Sequence, residues 1–204
     1  MTWLIILVIL LVAFGPVLWL VPSKRDRRLT RLRAQARAEG LIVELKSVPK
    51  LNPAAHERVS AGGRIRDPKI ECATYQQPLT RKTEYLPGWC LLRNPGSPGP
   101  GPATDLDGKF HPVGELPGWS YLTAPERSEV LSQSIEAVKP LLGELPEDVV
   151  AVELSARTVA AYWLESPGSD VQQVAEIAAI LRRIEAKILA LDEQIRQTKI
   201  SEDS

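Results

Sequence analysis

Apolar and polar residues alternate with different periods in successive stretches of this chain. From Trp3 to Val21 every residue is apolar, Gly or Pro, and the first charge is Lys24. About 20 apolar residues in a helix match a hydrocarbon core of about 30 Å. Residues 1–22 therefore predict a transmembrane anchor, with Trp3 and Trp19 near its ends, where indoles favour the headgroup zone. Pro16 removes one backbone donor inside the span, which membrane helices tolerate. A cleaved signal peptide needs an n-terminal charge, a shorter core and an A-x-A-like site, and none is present.

Beyond the anchor the period becomes helical. Leu29, Leu32 and Ala36 share one stripe across residues 24–39, and Gly40 supplies a stop. Residues 41–47 and 70–77 read as strands. In the second, the inward set is either Ile70, Cys72 and Thr74 or the opposite parity with Ala73 and Tyr75. A helix opens at a capping box, Thr123-Ala-Pro-Glu126, and carries Leu131, Ile135, Val138 and Leu142 on one face. Residues 149–155 and 158–165 form a hairpin. Ser169, with Gln172 three residues on, opens a final helix over residues 170–198. Its apolar positions, Val174, Ile177, Leu181, Ile184, Ile188, Leu191 and Ile195, alternate spacings of three and four. That is a heptad seam, which serves either a homodimer with Lys187 and Asp192 attracting across it, or packing on the chain's own body.

Leu86-Pro-Gly-Trp-Cys-Leu-Leu recurs as Leu116-Pro-Gly-Trp-Ser-Tyr-Leu, each a Pro-Gly turn before an aromatic strand start. Trp89 and Trp119 either frame a partner-binding groove or pack into the core. Between the copies, residues 94–102 form a Pro/Gly-rich loop. The expected fold class is α+β: an N-terminal transmembrane helix, a mostly antiparallel sheet with a middle helix, and a long amphipathic C-terminal helix. The expected divisions are anchor 1–22, basic juxtamembrane helix 23–40, domain 41–168, C-terminal helix 169–198, and a tail 199–204 whose last residues, Ser201-Glu-Asp-Ser204, are expected to be disordered.

Net charge is zero, yet its distribution is uneven. Residues 1–40 hold seven basic residues, Lys24, Arg25, Arg27, Arg28, Arg31, Arg33 and Arg37, against Asp26 and Glu39. The positive-inside rule then places residues 23–204 in the cytoplasm of a bacterial-type inner membrane, N-terminus outside. The same residues are candidates for anionic headgroups, at about 1 kcal/mol each near the surface. No aromatic or Gly-rich pattern accompanies them, which argues against nucleic acid. Two cysteines, Cys72 and Cys90, make no disulfide framework and are expected as free thiols in that compartment; an inverted, periplasmic body would let them bridge.

Metal-ligand spacing is missing among His56, His111, Cys72 and Cys90. Asp105-Leu-Asp-Gly108 lacks the remaining ligands of a calcium loop. No phosphate-binding loop or nucleophile elbow is present. No cofactor is expected, and an enzyme would need a site dispersed in sequence.

Pro22-Ser-Lys-Arg-Asp-Arg-Arg28 resembles the Arg-Pro-Gln-x-Lys-Arg junction of YajC, the small accessory subunit of the bacterial preprotein translocase. Val59-Ser-Ala-Gly-Gly-Arg-Ile65 is similar to its V-x-T-x-G-G-I segment. Gln is absent after the Pro, and residues 66–204 have no counterpart. The resemblance implies association with an inner-membrane machine. The expected function is a membrane-anchored accessory or scaffold protein that meets a membrane complex or a cytoplasmic partner through Trp89, Trp119 and Leu181, Ile184, Ile188 and Leu191.

Overall fold

The computed structural model describes Trp3 and residues 23–51, 53–94, 111–114, 116–122 and 128–202. The predicted anchor, Trp3 apart, lies outside the described residues, as does the Pro/Gly loop from Pro95 onward. Among the described residues, no helix is long and apolar enough to cross a membrane.

The rest is α+β. Helix α1 (Lys24–Ala38) leads into β1 (Ile42–Pro49), β2 (Lys69–Pro78), β3 (Trp89–Arg93), β4 (His111–Pro112) and β5 (Trp119–Tyr121). Then come α2 (Glu129–Glu144), β6 (Val149–Leu154), β7 (Thr158–Trp163) and α3 (Val171–Glu202). Among the described residues the strands form one seven-stranded sheet, ordered β1-β2-β7-β6-β3-β5-β4, and every neighbouring pair is antiparallel.

Sheet parity explains the ambiguity in β2. Val43 pairs with Tyr75, and Tyr75 with Ala161, so these share a face. Ala73, Tyr75, Leu91, Val152, Leu154, Val159, Ala161 and Trp163 pack under the helices in the main core. The opposite parity fills a smaller cluster on the other face, with Val48, Leu51, Cys72, Leu92, Ala151, Ala160 and Tyr162. Both sets of β2 are thus buried, so each of the two alternative parities faces a core.

The three helices cover the first face. In α3, Val174, Ile177, Leu181, Ile184 and Ile188 are 0% exposed, and Leu191 and Ile195 pack against the same core. Each such side chain contributes about 1.5–3 kcal/mol by leaving water. The heptad stripe is therefore filled by this chain's own sheet and helices.

Three helix ends differ from the sequence expectation. Helix α2 opens at Glu129, where the Ser128 hydroxyl accepts from the Leu131 N–H at 3.1 Å. The Thr123–Glu126 motif lies outside the described residues, ahead of that start. For α3 the box is shifted by one residue: Asp170 Oδ1 accepts from the Gln173 N–H at 3.0 Å, and Gln173 Oε1 from the Asp170 N–H at 3.1 Å. Ser169 is free to donate to Asp148 instead. At its C-terminal end α3 continues to Glu202, through most of the expected tail. Gly40, with φ 83°, ends α1 as expected.

Candidate functional site

Helix α1 is the element that joins the predicted anchor to the folded body, and its start is well defined. The Ser23 hydroxyl accepts from the Asp26 N–H at 3.1 Å, and Asp26 Oδ2 accepts from the Ser23 N–H at 3.0 Å. The hydrogen bond from the Ser23 side chain holds the Asp26 carboxyl below its ordinary value. Lys24, Arg25, Arg27, Arg31 and Arg37 are exposed. Arg28 and Arg33 are not: they turn toward the loop after β7. Arg28 donates to the carbonyl oxygens of Ser166, Glu165 (3.0 Å) and Ser169 (3.4 Å). Arg33 grips the Glu165 carboxylate with both arms, Nε to Oε1 at 3.0 Å and Nη2 to Oε2 at 2.6 Å. Of the seven basic residues expected at the membrane surface, these two are committed to the body.

Glu165 is the centre of that contact. It is 8% exposed and also accepts from the Tyr75 hydroxyl at 2.9 Å. Its φ of 49° is left-handed, a conformation costing a non-glycine residue about 1–2 kcal/mol. Three side chains, Arg28, Arg33 and Tyr75, over-determine it. The hydrogen bond to Glu165 raises the Arg33 guanidinium above its usual range. Burial first, and then the Glu165 charge, push the Tyr75 phenol up.

The register places more elements at this end. Trp163 pairs with Ala73 and with Val149, so the end of β7 is level with the start of β6 and with the middle of β2, whose first residues from Lys69 run on beyond it. Pro49 pairs with Lys69, one strand further out. The connection from β1 to β2, residues 50–68, therefore projects from the end at which α1 begins. Residues 53–68 form a finger. Lys50 pairs with Glu57 at 2.7 Å, and Glu57 also accepts from the Ala54 N–H at 2.8 Å. Val59 and Ile65 bridge, the Gly63 N–H closes a turn on Ser60, and Gly63 takes φ 75°. At the tip Ile65 is 88% and Val59 45% exposed.

The other expected contact residues are interior. Trp89 is 4% and Trp119 6% exposed. Leu181, Ile184 and Ile188 are fully covered, and Leu191 is half-buried against the same core. As a partner surface these residues are already occupied by their own chain. The two Leu-Pro-Gly-Trp copies become β3 and β5, which pair directly, Arg93 opposite Trp119. A Cβ on Gly88 would come 3.0 Å from the Leu154 carbonyl oxygen, so a side chain in the first Pro-Gly turn would press on the β6 backbone. Arg93 lies over the Trp119 ring at 4.9 Å and donates to the carbonyl oxygens of Leu142 (3.1 Å), Leu145 (3.3 Å) and Pro146 (2.5 Å). It thereby satisfies acceptors that the end of α2 leaves open. Burial lowers its pKa.

Two acids on α3 clamp residues 77–85. Asp192, 0% exposed, accepts from Arg81 (2.9 Å) and from the N–H groups of Glu84 (3.1 Å) and Tyr85 (2.9 Å). Glu185 accepts from the N–H and hydroxyl of Thr80, both at 2.7 Å. Asp192 is thus a buried anchor and not one half of an interhelical pair with Lys187. The signal for both lay in their spacing: each falls four residues after an apolar position, Leu181 or Ile188, on the buried side of the helix.

The sheet face away from the helices carries Cys72, with its thiol pushed up to about 11 by burial. Cys90, on the same parity, is pushed up to about 12, by burial first and then by Glu153. Both thiols are free. Tyr162 donates to Glu153 there, and Lys46 lies 6.0 Å from the Tyr162 ring centre. Among the described residues no group of three or more His, Cys, Asp or Glu side chains could hold a metal ion.

No protein-family model matches the chain, and no curated protein matches it. One solved structure is similar, described as the crystal structure of the mycobacterial trehalose monomycolate transport factor A, TtfA. It is 12% identical, with 82% of this chain and 96% of that chain covered, at a TM-score of 0.42. At that score the likeness assigns neither fold nor activity.

Proposed function

We propose that the protein is a single-pass membrane-anchored accessory protein whose body stands close against the cytoplasmic leaflet and serves an inner-membrane complex. One observation carries the reading: the helix that follows the apolar run is part of the folded body. Arg28 and Arg33 bind it to residues 165–169, and Leu32 and Ala36 sit in the core. No free linker separates Ser23 from that body, so an anchor at residues 1–22 would hold the domain at the bilayer. Lys24, Arg25, Arg27, Arg31 and Arg37 remain exposed around the junction, where anionic headgroups attract basic side chains. The resemblance to YajC adds a candidate setting, the protein-export machinery.

The test is topology and company. Green fluorescent protein and alkaline phosphatase are fused separately to the C-terminus in a bacterium. Fluorescence without phosphatase activity is expected; the reverse pattern overturns the orientation and makes a Cys72–Cys90 bridge the next question. Photo-crosslinking from Lys24 and Arg31 positions should recover membrane proteins, and recovery of export subunits would support the narrower setting.

A further inference from the structure

The geometry points to a second membrane contact: we propose that the β1–β2 finger, residues 58–66, inserts its apolar tip into the interface of an anionic bilayer. The proposal rests on the anchored reading for its orientation, and it adds a surface that the basic helix does not include.

Position is the first. The finger leaves the sheet at the end where α1 begins: Leu45 is level with Trp163 through Ala73, and β1 runs on past it to Pro49, beyond the strand end that leads into the loop held by Arg28 and Arg33. Ser23 lies about 7–8 Å further out than Arg28 along the helix. Whatever surface meets the start of α1 also faces the finger. Leu164, 38% exposed, and Val171, 48% exposed, flank the same loop and add apolar surface to this end.

Composition is the second. Ile65 is the most exposed large aliphatic side chain among the described residues of the body, and Val59 stands across the bridge from it. Such exposure on a loop braced by Lys50, Glu57 and Gly63 keeps apolar area in water without a partner of its own chain. Arg58, Arg64 and Arg66 stand beside the tip in sequence, and Lys69 stands at the base of the finger, opposite Pro49. Residues 50–69 hold five basic residues against Glu57 and Asp67, and Glu57 is already paired with Lys50. An apolar tip ringed by cations matches the boundary between acyl chains and anionic headgroups, the combination that holds interfacial elements on membranes. A water-soluble protein partner with an acidic groove would satisfy the charge, but it would not be kept at this end by the anchor.

The test uses the full chain carrying Ile65→Cys, labelled with an environment-sensitive nitrobenzoxadiazole dye. Cys72 is buried and Cys90 half-buried with a raised thiol pKa, so background labelling is low and is measured on the unsubstituted chain. A second chain carries the dye at Arg157→Cys, in the turn at the opposite end of the sheet. In phosphatidylcholine vesicles containing phosphatidylglycerol, the dye at 65 should brighten at least twofold, shift to the blue and be quenched by nitroxide-labelled lipid. The dye at 157 should do none of these. Arg64→Glu with Lys69→Glu should abolish most of the response. Equal behaviour at 65 and 157, or an undiminished response in purely neutral vesicles, overturns the proposal. Alkaline carbonate extraction of the same samples tests the anchor separately. A chain that resists extraction with a silent dye at 65 removes the finger alone. A chain that washes off while the dye still responds removes the anchor alone.

Discussion

Arg33 and Glu165 meet as two parallel forks, 3.0 and 2.6 Å apart at their two contacts, across 132 residues of sequence. The pair joins the first helix to the end of the last strand. Glu165 keeps only 6% of its side chain in solvent and Arg33 26%. Removing one member leaves the other short of its partner in a site with little water. Arg33→Ala is expected to cost about 2–4 kcal/mol, toward the lower side for a broken buried pair because Arg33 is partly wet. Glu165→Gln keeps an acceptor for Tyr75 and should cost less. Urea unfolding of both variants and of the double variant gives the coupling. A coupling near zero would mean that the fork does not hold α1 to the body.

Asp192 presents a different case, because its partners include two backbone donors. Asp192→Ala strands the Glu84 and Tyr85 N–H groups as well as Arg81. An unsatisfied buried donor costs about 1–3 kcal/mol, so a total loss of about 3 kcal/mol is expected. Hydrogen exchange should localise it: amides of residues 79–86 should open faster, while those of β6 and β7 keep their protection. Uniform acceleration throughout the chain would contradict the clamp.

These long-range contacts mark the limit of what local pattern reveals. The strands 41–47 and 70–77, the 149–165 hairpin and the long last helix were legible, because period and turn chemistry are properties of neighbouring residues. The Arg33–Glu165 and Arg81–Asp192 pairs were not, since charge alone does not select a partner over a hundred residues away. The seven basic residues of α1 looked alike in sequence. Only the fold separates Arg28 and Arg33, which bind the body, from the five that remain exposed. The Pro-Gly-Trp copies were visible, whereas their direct pairing as β3 and β5 depends on α2 and the sheet order. The anchor was read from residues the structure does not describe, and it stands as an expectation.

The heptad stripe of α3 makes a sharper distinction testable. Intermolecular and intramolecular burial require the same spacing of apolar residues, so spacing cannot choose between them. Here Ile184 is 0% exposed inside its own chain. Ile184→Ala is expected to lower stability by about 2–5 kcal/mol through the lost contacts and the cavity. It should leave the sedimentation coefficient of the folded protein unchanged. Lys187→Glu should alter neither quantity. If Ile184→Ala instead yields a well-folded monomer from a dimer, the packing of α3 on the sheet is not its resting arrangement.

Acid should weaken the fold in a narrow window, and the sign follows from which state binds protons. Hydrogen bonds from Arg182, Lys50 and Arg183 hold the carboxyls of Glu39, Glu57 and Glu144 below the ordinary 4.5, and Ser23 holds Asp26 below 3.8. In the unfolded chain these groups take up protons first, as pH falls. Their contribution is fully present above about pH 5 and is lost as pH drops through the folded values. The urea midpoint should therefore be insensitive to these groups between about pH 5 and 7 and should fall below that range. Because all four carboxyls face water, about 1 M salt should flatten much of the fall by screening the ion pairs. Glu39→Gln combined with Glu57→Gln should shrink the acid-sensitive change and leave the neutral-pH slope with denaturant as it was. A drop of unchanged size in that double variant would assign the acid sensitivity to other carboxyls, with Glu193, held low by its hydrogen bond from Arg196, the first to examine.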